Sequence, residues 1–202
     1  MFMYISFSAP RVALSSKDFA EAFVGGLSSG NGVDNVCELL KLAFAPETFR
    51  VKKIGGVSEY NRRYTFNFFS YDHSTDEETG FPKDAYVALK ESKFFTVDGV
   101  VVKIRGSDLT LPFREVLALE VKSTKLNNYA RVQLFLNMLP VLAREGSAVG
   151  LLINAVEAKI FKMKVVKGCK SNVDISSKSH SLHPDLNGGL VAVLQDLVNL
   201  VH

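Results

Sequence analysis

Tryptophan is absent from this 202-residue chain, and cysteine occurs only twice, at Cys37 and Cys169. Two thiols cannot complete a zinc framework. Cys37 also falls in a helical pattern beside Val36, Leu39 and Leu40, so buried, reduced thiols are expected rather than a bridge. An excess of one charge is missing too: 24 basic residues face 21 acidic ones, for a net charge of +3. A polyanionic partner would therefore have to be held by a local basic cluster, not by a global field. No stretch reaches about eighteen uninterrupted apolar residues, the length a membrane-spanning helix requires. The opening MFMYISFSAP lacks a basic n-region and leads into the amphipathic RVALSSKDFAEAF instead of a cleavage site. The expectation is an intracellular protein of cytoplasm or nucleus, with neither signal peptide nor transmembrane segment. No nucleophile elbow is present, and neither GGLSSGNG nor Gly55-Gly56 is followed by the GK[ST] of a phosphate loop.

What the chain does contain is enough apolar residue, 47%, to bury a core at a length that suits one domain. We expect one α/β domain over 1–202: a helical part to residue 46, a sheet with a core helix over 47–166, then a loop and closing helix. Ser15 or Ser16 can cap a helix to about Val24, stopped by Gly25-Gly26. Val36, Leu39, Leu40 and Ala43 recur at helical spacing within a second helix, Val33 to Ala45. Thr48 to Tyr71 reads as two paired strands, and Asp72 to Pro82 as an exposed acidic loop. In KFFTVDGVVVKI, Asp98-Gly99 divides two β-branched runs as the type I′ turn of a hairpin would. A further hairpin is drawn from Asp108 to Leu111, a turn at Pro112 to Glu115, and Val116 to Thr124. Asn127 or Asn128 opens a helix to about Glu145, which Pro140 should kink. Strands over Ser147 to Asn154 and Ala158 to Val166, a polar loop from Gly168 to His183 and a helix from Leu186 to Leu200 complete the pattern.

Within VLALEVKS (116–123), Glu120 and Lys122 are two apart and so share one face of an otherwise apolar strand. Opposite charges at the end of a buried strand cost desolvation unless something uses them. A frayed strand end with a weak surface ion pair is the plain alternative. Elsewhere His180 and His183 have a chelating H-x-x-H spacing, but the stretch is Ser-rich and no acidic or thiol partner is assigned to them, so a solvated role is expected. Glu38 has Lys41 three residues on, which suits a surface pair.

The order strand, turn, strand ending in Glu-x-Lys, helix carrying Gln133, hairpin resembles the PD-(D/E)xK, or restriction-endonuclease-like, nuclease superfamily over roughly Phe94 to Val165. The run FTVDGVVV is similar to the Asp segment of nuclease-like domains in Crinkler effectors and trypanosome retrotransposon hot spot proteins. The resemblance implies a restriction-endonuclease-like mixed central sheet flanked by helices, and hydrolysis of DNA or RNA phosphodiesters with Mg²⁺ or Mn²⁺. Under it, Glu120 and an Asp ligate the metal, Lys122 positions the attacking water or stabilises developing charge, and Gln133 supports the arrangement. Asp98 is the first choice for that Asp, Asp108 the second and Asp84 the third. Glu38 could add a helix-borne carboxylate, and Lys125, Asn127, Asn128 and Arg131 could contact phosphates. A homodimer would let such a nuclease cut both strands. The rival expectation is an inactive nuclease-like fold acting as a nucleic-acid- or protein-binding effector module, since a fold does not carry its activity with it.

Overall fold

A computed structural model of the chain describes residues 17–28, 30–44, 48–53, 98–103, 114–166, 173–183 and 189–201. They form α1 (Lys17–Ser28), α2 (Gly32–Ala43), β1 (Phe49–Lys53), β2 (Gly99–Lys103), β3 (Arg114–Val121), α3 (Asn128–Glu145), β4 (Ser147–Ile153), β5 (Glu157–Val165), β6 (Val173–Ser181) and α4 (Gly189–Val201). The strands make one sheet in the order β1-β2-β3-β4-β5-β6. Only β3 and β4 run parallel, and α3 is the crossover between them; the other neighbours are antiparallel. The architecture is therefore mixed α/β, with helices on both faces of a mixed sheet.

Strand alternation divides the core into two. On one face, Leu117 and Leu119 of β3, Val149, Leu151 and Ile153 of β4, and Ala158 and Ile160 of β5 pack with α1, α2 and α4. On the other, Ala118, Ala148, Leu152, Phe161 and Met163 pack under α3. That helix sits low because Gly150 leaves room: a Cβ there would meet Met138 Sδ at 2.5 Å and the Leu134 side chain at 3.0 Å. Phe135 fixes its β5 flank, edge-on to Phe161 with ring centroids 5.0 Å apart.

Several expectations need correction. Gly25-Gly26 does not stop the first helix, which continues to Ser28; α2 crosses so close that a Cβ on Gly26 would strike the Asn35 side chain. Asp98-Gly99 is not a type I′ turn, which needs positive φ at both residues. Among the described residues only Gly30 and Gly146 have positive φ, and Gly99 is already in β2, opposite Lys53 and Leu119. The antiparallel partner of β3 in the described sheet is β2, and β3 begins at Arg114, inside the segment expected to turn. The polar stretch before His183 is largely strand: Val173 to Ser181 pairs with all of β5, and that ladder overrides weak local propensity. Residue 108, residue 84 and the expected strand and loop of 54–97 lie outside the described residues.

Candidate metal site at the end of β3

The apolar run of β3 ends where α3 begins, at the carboxyl ends of the parallel pair. That is where open α/β sheets present their ligand sites. Glu120 follows Ala118 on the α3 face and is fully buried. Its Oε1 lies 2.5 Å from Lys122 Nζ, and the lysine also donates to Gln133 Oε1 at 3.2 Å. Asn127 secures the helix that carries Gln133: its Oδ1 accepts the Ala130 N–H at 2.9 Å, an N-cap. Tyr129, half-exposed, stands one helical turn before Gln133, at the rim.

Asp98 comes from the neighbouring strand end. Its Oδ2 accepts the Val121 N–H at 2.7 Å, which continues the β2–β3 ladder by one side-chain bond. In register it falls beside Glu120, since Gly99 is opposite Leu119. Burial and the adjacent Asp98 charge push the Glu120 carboxyl up to about 8, outweighing Lys122, which pulls it down. Burial likewise raises the Asp98 carboxyl above its usual value. Two desolvated carboxylates side by side do not both ionise without a compensating cation. The short Lys122 contact neutralises one oxygen of Glu120. The other, Oε2, is buried and has no hydrogen-bond partner among the described residues, at a cost of about 1–3 kcal/mol if left so. The pair therefore holds a proton at neutral pH or gives it up to a cation.

The donor set fits a hard divalent cation. Mg²⁺ is commonly held by one or two carboxylates while it retains several waters, and an orphaned carboxylate oxygen beside a second acid suits that mode. Among the described residues no group of three or more His, Cys, Asp or Glu side chains could hold a metal, so the two carboxylates are the protein donors identified.

Three of the sequence-predicted residues, Glu120, Lys122 and Gln133, meet through direct bonds, and Asp98 joins them through Val121 and its charge. Asp108 and Asp84 are outside the described residues. Glu38 lies apart, on α2, paired with Lys41 at 2.5 Å and exposed. His180 does not stand without an acid: its Nε2 lies 2.8 Å from Asp196 Oδ2, and Lys178 Nζ lies 2.6 Å from the same oxygen. Helix α4 delivers that aspartate across sixteen residues, so His180 serves to dock α4 on β6. Sequence reasoning missed Asn154, which is 4% exposed. Its Nδ2 donates to the Thr124 carbonyl at 2.8 Å, and its Oδ1 accepts from Val156 N and Glu157 N. It ties the segment after Lys122 to the β4–β5 turn, and the signal for it was an amide closing the apolar run SAVGLLIN.

No family model, curated protein or solved structure matches the chain.

Proposed function

We propose that the chain is a metal-dependent nuclease of the restriction-endonuclease-like type, hydrolysing phosphodiester bonds of DNA or RNA with Mg²⁺ or Mn²⁺. The observation that carries this reading is the orphaned, buried Oε2 of Glu120 beside Asp98, with Lys122 on the other oxygen of that carboxylate and Gln133 on the lysine. Asp98 and Glu120 would hold the cation. When bound, it would polarise the scissile phosphate and lower the pKa of a water. Lys122, part-exposed at the mouth, is in reach of a phosphate oxygen while it holds Glu120, and so orients the nucleophile or takes up developing charge. Gln133 fixes the lysine from the helix side, and α3 closes the site towards the core.

Cleavage of plasmid and of labelled single-stranded oligonucleotides with Mg²⁺ or Mn²⁺ tests this, comparing wild type with Glu120→Gln and Lys122→Ala. Loss of an outer-shell metal partner alone costs about 10–100-fold, so Glu120→Gln should lose more than about 100-fold. Cleavage that survives Glu120→Gln, or absent from the wild type with both metals, rejects the reading. The thin donor set, two carboxylates with one Asp98 oxygen engaged by Val121 N–H, favours one alternative: an inactive fold of this type that binds nucleic acid or protein as an effector module.

A further inference from the structure

The α3 face carries a second polar locus that the carboxylate site does not use. Glu120, Leu152, Lys159 and Ser179 are partners along one row across β3, β4, β5 and β6. Lys159 lies two and four residues before Phe161 and Met163, which pack under α3, so it shares their face of β5 and projects on the face of Glu120. Two strand spacings separate them, about 9–10 Å. Helical spacing puts Arg131 on the flank of α3 above the same corner. It lies one helical turn before Phe135, as Lys159 lies one pleat before Phe161, and the Phe135–Phe161 contact shows that this flank of α3 faces β5.

Arg131 is placed as if something were missing. Its Nη2 donates to Asn128 Oδ1 at 3.0 Å, but its Nε is buried without a partner, and no carboxylate pairs with it among the described residues. It occupies the first turn of α3, which has no acidic residue; a cation there opposes the helix dipole. Burial lowers the guanidinium's pKa from its ordinary value. Among the described residues Lys159 has one counter-ion, Glu157 at 3.3 Å, with both side chains about one-third exposed. Exposed pairs of this kind are weak and readily exchanged.

The geometry points to an anion subsite formed by Arg131 and Lys159, with the Ser179 hydroxyl beside them, that takes a backbone phosphate of a nucleic-acid strand near the one at Glu120 and Lys122. This rests on the proposed nuclease reading for its substrate, but its test does not need cleavage. A guanidinium with an unmatched Nε–H offers the directional donors phosphate prefers, and the lysine adds a mobile charge.

Binding of a fluorescein-labelled oligonucleotide to the full chain in EDTA, across a salt series, decides the matter. Each lost phosphate contact should flatten the plot of log affinity against log salt by about one unit. At 0.1 M salt that amounts to about five- to eightfold weaker binding for Arg131→Gln or Lys159→Gln. Arg131→Lys should recover most of the slope. Lys159→Gln, at a part-exposed position, keeps the test valid if Arg131→Gln does not fold. Wild-type affinity and slope in both glutamine variants would overturn the subsite, as would no binding by the wild type. Arginine- and lysine-dependent binding without cleavage by any metal would uphold the subsite while rejecting the nuclease reading. Cleavage with unchanged slopes would do the reverse.

Discussion

Leu119 and Glu120 are consecutive on β3 and equally sealed from water, yet one joins an all-hydrocarbon face and the other puts a carboxylate under α3. The face packed by α1, α2 and α4 is continuous from Phe23 to Val198. The α3 face is apolar through Ala118, Phe161 and Met163 but turns polar at one end, where Asp98, Glu120, Lys122 and Gln133 gather. Burial alone therefore does not say what a position is for. A leucine at such depth adds about 1.5–3 kcal/mol of hydrophobic stabilisation. A carboxylate there has to recover its desolvation from partners, and one oxygen of Glu120 recovers nothing from the described residues. One face holds the fold together, and the end of the other is kept at its expense.

The sharpest way to break this contrast is to exchange the neighbours' roles. Leu119→Ala should cost about 2–5 kcal/mol, because a cavity opens between β3 and the helices that the sheet cannot collapse to fill. Glu120→Leu should be neutral or stabilising, by at most about 1–4 kcal/mol, since it replaces a poorly compensated buried charge with hydrocarbon while the part-exposed Lys122 turns to solvent. Urea unfolding of the two variants against wild type measures both. A Glu120→Leu protein that unfolds more readily than Leu119→Ala would show the carboxylate to be a structural member after all.

Proton linkage sharpens the contrast further. The Glu120 carboxyl is raised from 4.5 to about 8 on folding, so the folded chain keeps a proton that the unfolded chain has lost across that window. The contribution is fully present below about pH 4.5 and is lost as pH rises through about 8, with a limiting slope of about 1.4 kcal/mol per unit. Asp98, shifted in the same direction, adds to the fall in the acid part of the window. Thermal melts from pH 5 to 9 should show wild type losing stability with rising pH and Glu120→Gln losing less. At the alkaline end, millimolar Mg²⁺ should restore the wild type, since a ligand that binds only the folded state stabilises it. A wild-type profile parallel to that of Glu120→Gln would refute the raised pKa.

How much of this was legible in the sequence follows from how local each signal is. The helices α2 and α3 and the strands β4 and β5 came out within a few residues, because 3.6-residue periodicity, the Asn127 cap and apolar runs are all written within one element. The Glu120, Lys122 and Gln133 group was legible for a related reason: strand alternation and a following helix suffice to bring them together. Asp98 was visible as a residue but not as a position, since Asp-Gly reads as a turn unless the ladder with Leu119 is known. Strand β6 was invisible because Ser176, Ser177, Lys178, Ser179 and His180 carry no alternation, and only pairing with β5 makes them extended. The Asp196 contact to His180 and the row that lines Lys159 up with Glu120 need the whole sheet to be assembled, and no local pattern encodes either.

The smallest effect isolates burial from distance. Glu38 and Lys41 are as close as Glu120 and Lys122, 2.5 Å in each case, but their side chains are 70% and 52% exposed against 0% and 27%. The Glu38 hydrogen bond raises the Lys41 pKa, yet water screens both groups, and holding two long side chains in one geometry costs entropy. Glu38→Ala should therefore leave the melting midpoint unmoved within error and the pH profile unchanged. A drop as large as that of Leu119→Ala would mean that contact distance, and not depth, decides what an ion pair contributes in this protein, and the contrast between the two ends of the molecule would dissolve.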